Sequence, residues 1–132
     1  MFRGDRWFLS NFFPAPVVLD GVTFPTVEHA YQAAKTLHRP SREVVRRAVT
    51  PGQAKRLGRT LILRPDWEAV KLQVMEALLR QKFADPALRA KLRALPGEIV
   101  EENTWNDTWW GRCRGRGENH LGRLLMRIRD EA

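Results

Sequence analysis

The sequence is poor in the residue types that support disulfide, metal or membrane chemistry. It contains one cysteine, Cys113, which excludes an internal disulfide and fits a reducing compartment. Its three histidines lack metal-ligand spacing with a cysteine or carboxylate, so we expect no metal site. No apolar run approaches membrane-spanning length, and the N-terminus lacks a signal-peptide h-region. We therefore expect a soluble cytoplasmic protein that has no membrane partner.

Positive charge, by contrast, is abundant. Lysine and arginine number 23 against 15 acids, which gives a net charge of +8. A positive field attracts phosphorylated metabolites and nucleic acid alike, so charge alone leaves both open. Arginine outnumbers lysine 18 to 5, and the basic residues are dispersed along the chain. For most surface arginines, we therefore favour a bias in coding composition over a binding role.

Length and turn signals predict one helix-rich α+β domain over residues 1–132, with one or two small β-hairpins. A hairpin is indicated where two short apolar runs flank Asp20-Gly21. A brief strand is indicated over residues 98–102. Six helices are predicted, of which the first spans residues 26–37 and the second is capped by Ser41. The third begins at Thr50-Pro51 and ends at Gly58, and the fourth spans residues 67–83 with Asp66 as its cap. The fifth starts at Asp85-Pro86, and the sixth spans residues 119–129.

The helix predicted over residues 26–37 is unusually polar for a core helix. Its residues Glu28, Tyr31, Gln32 and Lys35 fall at i, i+3, i+4 and i+7 and therefore share one face. Such a face either lines a pocket or forms a solvated surface network. In the network, the Glu28 carboxylate interacts favourably with the positive end of the helix dipole.

The longest predicted helix carries a tryptophan and a lysine in its apolar stripe. Trp67 and Lys71 lie one turn apart. The conservative interpretation is a core tryptophan and a lysine whose stem packs while its ammonium reaches water. The alternative is a cleft with an aromatic wall, Trp67, beside the charges of Lys71 and Glu28.

Three of the five tryptophans fall within residues 105–110, beside Asp107. Loops dense in aromatic and acidic side chains are commonly functional, and we favour that interpretation. The structural alternative is a turn in which Asp107 accepts backbone hydrogen bonds and the tryptophans form a hydrophobic lid.

A segment rich in glycine and arginine, residues 111–119, leads into the last helix. Free N–H groups at a helix start and nearby arginines suit phosphate. An equally good alternative for Arg112, Arg114 and Arg116 is a solvated loop, and Asn119 is most simply the N-cap of the helix.

Several blocks in order resemble the NADAR (YbiA-like) family along almost the whole chain. They are Phe8-Leu9-Ser10-Asn11-Phe12, Thr26 to Lys35, Trp67 with Lys71 and Met75, Lys82-Phe83 with Pro86 and Leu88, Asp107 with Trp110-Gly111, and Gly117 to Arg129. Trp109 departs from the family pattern because it doubles the tryptophan before Gly111.

The resemblance implies an enzyme, an N-glycosidase that hydrolyses a ribosyl C–N bond. Cleavage of such a bond builds positive charge on the sugar, which calls for carboxylates and a proton donor. We assign catalysis to the carboxylates of Glu28 and Asp107, with Trp67 stacking on the base or shaping the ribose pocket. Our hypothesis makes Glu28 the acid/base and Asp107 the cation stabiliser or water positioner, and the sequence leaves the reverse assignment open. Substrate-binding residues would be Asn11, Tyr31, Lys35, Lys71, Trp110, Gly111, Arg112 and Asn119. No cofactor is implied.

Two substrate classes follow from the resemblance. One is the phosphoribosylaminopyrimidine intermediates of riboflavin synthesis, and the other is ADP-ribose conjugates, including ADP-ribosylated guanine in nucleic acid. The alternative is a non-catalytic module that binds ADP-ribose or single-stranded nucleic acid through tryptophan stacking and arginine contacts. In that case the carboxylates would be structural.

Overall fold

The computed structural model describes residues 1–131, which form mostly helices together with two very small β-ladders. The predicted helix-rich α+β class is confirmed. The described elements are a 3-10 helix Gly4–Leu9, strands β1 Val17–Leu19 and β2 Val22–Phe24, helices α1 Val27–Ala34, α2 Arg39–Arg46, α3 Pro51–Gly58, α4 Trp67–Lys82 and α5 Pro86–Arg93, strands β3 Glu102–Asn103 and β4 Arg112–Cys113, and helix α6 His120–Asp130. None of the helices within residues 1–131 is long and apolar enough to cross a bilayer.

The chain forms two compact units. One consists of residues 11–82, and the other joins residues 1–10 to the chain from Phe83 onward. The expected organisation as one domain over residues 1–132 stays a prediction.

In the unit of residues 11–82, α1 is the central element. It packs against α2, α3, α4 and the β1–β2 hairpin, and every one of its eight residues is buried. The predicted hairpin is confirmed, with Val17 opposite Phe24 and Leu19 opposite Val22. Its turn has φ of +48° at Asp20 and +81° at Gly21, the left-handed backbone that a two-residue turn requires at both positions.

Threonine or aspartate side chains cap the starts of α1, α3 and α5, and the starts of α3 and α5 were predicted at these residues. The hydroxyls of Thr26 and Thr50 and the carboxylate of Asp85 each accept from the backbone N–H three residues later. Ser41 was expected to cap α2, and that prediction is wrong. The helix begins at Arg39, and the ring of His38 accepts from the Ser41 N–H at 3.3 Å.

In the other unit, α5 packs against α6. Ile99 and Leu125 are fully buried there, and the Phe8 and Phe83 rings meet edge to face at 6.4 Å. Of the strand predicted over residues 98–102, only Glu102 lies in a strand. Glu102 and Asn103 form β3, which pairs in parallel with β4. Because its strands are parallel, the β3–β4 ladder is not a second β-hairpin.

Candidate active site

Helix α1 is anchored at its first turn by its own capping residue and by a histidine. The His29 Nε2 lies 3.0 Å from the carbonyl oxygen of Ala48, and its Nδ1 lies 2.8 Å from the Thr26 hydroxyl. A carbonyl can only accept, so Nε2 carries a proton, and Nδ1 then accepts from the hydroxyl. His29 is thus committed to holding α1 in place.

A buried carboxylate lies on the adjacent face of α1. The Glu28 side chain is 7% exposed, and its Oε1 accepts from Gln32 Nε2 at 2.9 Å. Because the Gln32 amino group faces the carboxylate, its Oε1 points the other way and has no hydrogen-bond partner there. A buried carboxylate next to an unsatisfied acceptor is costly for stability, and such cost is typical of functional sites.

Close packing fixes the position of Gln32. A Cβ placed on Gly58 of α3 would lie 1.9 Å from Gln32 Oε1 and 2.7 Å from its Cδ. A side chain at this position would force the Gln32 amide to shift from the place where it reaches Glu28. The sequence placed Gln32 on the polar face of the helix, but neither Gln32 nor Gly58 was assigned to the site. The role of Gly58 has no sequence signal because it depends on how α3 packs on α1.

Aromatic rings form a wall beside this carboxylate. The rings of Tyr31 and Trp67 lie 5.2 Å apart between centroids at an interplanar angle of 56°. The Lys35 Nζ lies 5.8 Å from the Tyr31 ring centroid, within cation–π range. The structure therefore brings together Tyr31 and Lys35 of the predicted polar face with Trp67 of α4.

Lys35 is electrostatically coupled to Glu28. Burial lowers the pKa of its ammonium below the usual value, and the Glu28 charge opposes that shift. The positive charges of Lys55, Arg59 and Lys71 lower the same pKa further. The neighbourhood of Lys35 is thus strongly cationic, which favours the approach of an anion.

Two other predicted residues of this unit have defined contacts. The Asn11 carbonyl accepts from the Glu28 N–H at 3.1 Å, so Asn11 borders the start of α1. Its Nδ2 lies 3.6 Å from Met75 Sδ, and its Oδ1 is buried without a hydrogen-bond partner. Lys71 Nζ lies 2.6 Å from the exposed Glu68 carboxylate.

Asp107 lies in the other unit and binds its own turn. Its Oδ1 accepts from the backbone N–H groups of Trp109 at 3.1 Å and Trp110 at 2.9 Å. This is the turn-capping geometry given above as the structural alternative to a catalytic role. Asn103, which sequence analysis did not single out, supports the same turn: its amide donates to the Asp107 carbonyl and accepts from the Asp107 N–H.

The start of α6 differs from the expected phosphate site. Backbone carbonyls of residues 109–111 accept from the N–H groups of Asn119, His120 and Leu121 at 3.0–3.3 Å, so these donors are occupied. Asn119 is at the N-cap position, but its side chain makes no capping bond. Its amide instead binds the backbone of Ile99 and Glu101 at 2.9 Å. With 0% exposure, Asn119 is placed to brace the fold, and the expected capping bond is wrong.

Four neighbours in this unit also have structural contacts. A Cβ on Gly111 would lie 2.0 Å from the Glu101 carbonyl oxygen, so glycine is required there by packing. Arg112 Nη1 pairs with Glu98 at 3.1 Å. Trp109 packs on the His120 ring at 4.1 Å, and Trp110 approaches both rings edge-on. Trp109 remains 38% exposed.

Comparisons with known proteins place these observations in a family. N-glycosidase YbiA of Escherichia coli (strain K12) is 46% identical over 92% of this chain and 79% of that protein. Its NMR structure matches with a TM-score of 0.85 and 44% identity, covering 98% of this chain and 80% of that one. The riboflavin biosynthesis protein PYRR, chloroplastic, of Zea mays is 38% identical over 92% of this chain and 23% of that protein. The NADAR domain model matches residues 1–132, and the chain therefore belongs to the NADAR domain family.

Proposed function

We propose that this protein is an N-glycosidase that hydrolyses a ribosyl C–N bond in a phosphorylated substrate. The observation that carries the proposal is the Glu28 carboxylate, which is buried on α1 and held by Gln32 beside the Tyr31–Trp67 wall. The name of the relative from Escherichia coli, N-glycosidase YbiA, supports the same reaction class.

The reaction requires a group that responds to positive charge at the sugar. As the C1′–N bond breaks, its electron pair leaves with the nitrogen and the ribose becomes oxocarbenium-like. Water then adds to C1′ and its proton must be removed, while the leaving nitrogen gains one. Glu28 performs the acid–base step, because a carboxylate can take up and return a proton and Gln32 holds this one in place. In a site of low dielectric it also stabilises the cation.

The surrounding residues supply binding functions. The rings of Trp67 and Tyr31, which are 5% and 7% exposed, are the aromatic surfaces that a planar base or the ribose would contact. Among residues 1–131 the buried Asn11 Oδ1 has no hydrogen-bond partner, and a sugar hydroxyl is a donor that would satisfy it. Lys35 and Lys71 supply positive charge for phosphate.

Asp107 receives a different role from the one the family resemblance suggested. Because its Oδ1 binds two backbone N–H groups, we assign it to holding the turn of residues 107–110. Asp107→Asn separates the two roles, since an amide oxygen can still accept both bonds. A loss of about 100-fold in turnover by a folded Asp107→Asn variant would return Asp107 to the chemistry.

For the substrate, we propose phosphoribosylaminopyrimidine intermediates of riboflavin synthesis. The relative from Zea mays bears the name riboflavin biosynthesis protein, which supports this class. ADP-ribosylated guanine in an oligonucleotide is the second candidate, favoured by the net charge of +8.

The test incubates the protein with each substrate class and detects released base, ribose phosphate or ADP-ribose by mass spectrometry. We expect Glu28→Gln to lower turnover at least about 100-fold while the fold is retained, because the amide keeps the Gln32 contact but loses the charge. Glu118→Gln, at an exposed carboxylate, is the matched control. Turnover by Glu28→Gln close to that of the control would contradict the proposal, and binding of either substrate without product would support the non-catalytic alternative.

A further inference from the structure

An apolar groove lies on the surface of the unit formed by residues 11–82. It runs between α2 and the segment that leaves α3, and its volume is about 630 Å³. Aliphatic side chains make up much of its lining: Leu37, Val44, Val45, Leu57, Ile62 and Leu63.

Four of these side chains are strongly exposed to water. Ile62 is 88% exposed, Leu37 60%, Val44 57% and Leu63 51%. Single exposed aliphatic residues are ordinary, but a cluster around one groove is characteristic of an interaction site. The groove is separate from the Glu28 carboxylate, which does not line it.

Positive charge is concentrated around this groove. Residues 37–66 contain eight lysines and arginines and two acids, a net charge of +6 against +8 for the whole chain. Arg64 lines the groove itself, and Arg56 and Arg59 flank the lining residue Leu57. The Arg56 and Arg59 side chains are exposed, so the groove is cationic on the side of α3.

We infer that this groove binds an acidic amphipathic helix of a partner protein. The apolar face of such a helix inserts side chains into a concave aliphatic surface, and its acidic flanks meet the arginines on the side of α3. A second copy of this chain is disfavoured as the occupant, because two segments that each carry a net charge of +6 would repel each other. Nucleic acid is disfavoured because bases stack best on large aromatic rings, and among the described residues that line the groove there is no phenylalanine, tyrosine or tryptophan.

The probe is a synthetic helical peptide with leucines at i, i+3, i+4 and i+7 and glutamates elsewhere, labelled for fluorescence anisotropy. The control peptide carries lysines in place of the glutamates. We expect saturable binding of the acidic peptide that weakens as salt is raised, because part of the attraction is ionic. Equal binding of both peptides, or of neither, would overturn the proposal.

Two variant pairs locate the interaction. Ile62→Ser removes an exposed groove residue and should weaken binding at least about fivefold, since its apolar area no longer enters the interface. Val49→Ser is the matched control, because Val49 is equally exposed at 88% but does not line the groove. Arg59→Gln should also weaken binding, whereas Arg123→Gln, at an exposed residue of α6, should not.

Other occupants have distinct outcomes in the same experiment. Binding to anionic vesicles that Ile62→Ser abolishes, without peptide binding, would identify a lipid surface and overturn the proposal. Dimers that dissociate in Ile62→Ser, detected by sedimentation, would overturn it in favour of self-association. Substrate hydrolysis by Ile62→Ser should equal that of the unmodified protein, so failure of the docking proposal is distinguishable from failure of the proposed enzymatic function.

Discussion

Lys82, at the end of α4, makes stability depend on pH in a way that can be calculated. Its side chain is 2% exposed, and burial lowers the pKa of its ammonium from 10.5 to about 7. Its Nζ lies 5.4 Å from the Phe13 ring centroid, a cation–π contact that offsets only part of the desolvation. The folded protein therefore releases this proton near pH 7, and the unfolded chain releases it only near pH 10.5.

The sign and size of the effect follow from proton linkage. Between these two pKa values the unfolded state binds the extra proton, so the free energy of unfolding rises with pH. Below pH 7 both states are protonated and the folded state carries the full cost of the buried charge. At 1.36 kcal/mol per pKa unit, the contribution of Lys82 should change by about 2 kcal/mol between pH 7 and pH 9.

The perturbation is Lys82→Met, which retains an unbranched side chain of similar length and removes the charge. Urea unfolding of both proteins at pH 6, 7, 8 and 9 gives the two free energies at each pH. We expect the variant to be more stable at pH 6 and to lose most of this advantage by pH 9. Lys35, whose pKa burial also lowers, titrates in both proteins, so the difference between their pH slopes isolates Lys82. Identical slopes for the two proteins would refute a buried, depressed pKa at Lys82.

Three further predictions test packing around the site and the turns. Gly58→Ala should displace the Gln32 amide, destabilise the fold by about 1–2 kcal/mol in urea and slow turnover, and the stability loss should be smaller in a Gln32→Ala background, where only the Cβ of residue 32 remains close. Asp107→Ala should cost about 1–2 kcal/mol in urea, because two backbone N–H groups lose their acceptor, while Asp107→Asn should cost less. Asp85→Ala should lower the free energy of unfolding by about 1 kcal/mol, because the Leu88 N–H loses its cap.

Features set by neighbouring residues were predictable from the sequence. The Asp20-Gly21 turn and the Thr26, Thr50 and Asp85 caps each depend on groups within four positions of one another, so residue type and spacing suffice. The same holds for Glu28 and Gln32, whose contact follows from their i, i+4 spacing on α1. His38 as the cap of α2 was missed because histidine is an uncommon N-cap and Ser41 matched the usual signal.

Features set by distant partners were not predictable from the sequence. The parallel β3–β4 ladder joins residues ten positions apart along the chain, in two-residue strands too short to show any periodicity. Asn119 matched the residue type of an N-cap, but the backbone of residues 99–101 competes for its amide. Because that backbone is brought to Asn119 by tertiary packing, local spacing could not reveal the competition.

The two acids assigned to catalysis show why pattern alone cannot separate chemistry from support. Both acids lie near tryptophan, asparagine or glutamine side chains, so the residue types around them do not distinguish a catalytic from a structural role. Their oxygens differ in what they bind. An oxygen of Asp107 accepts from two backbone N–H groups of its own turn, which accounts for a hydrogen-bond acceptor at that position by stability alone. Glu28 is buried and accepts a hydrogen bond from Gln32, which packs against Gly58 of α3. A local turn needs no such arrangement across two helices, so the arrangement favours Glu28 as the residue selected for reaction.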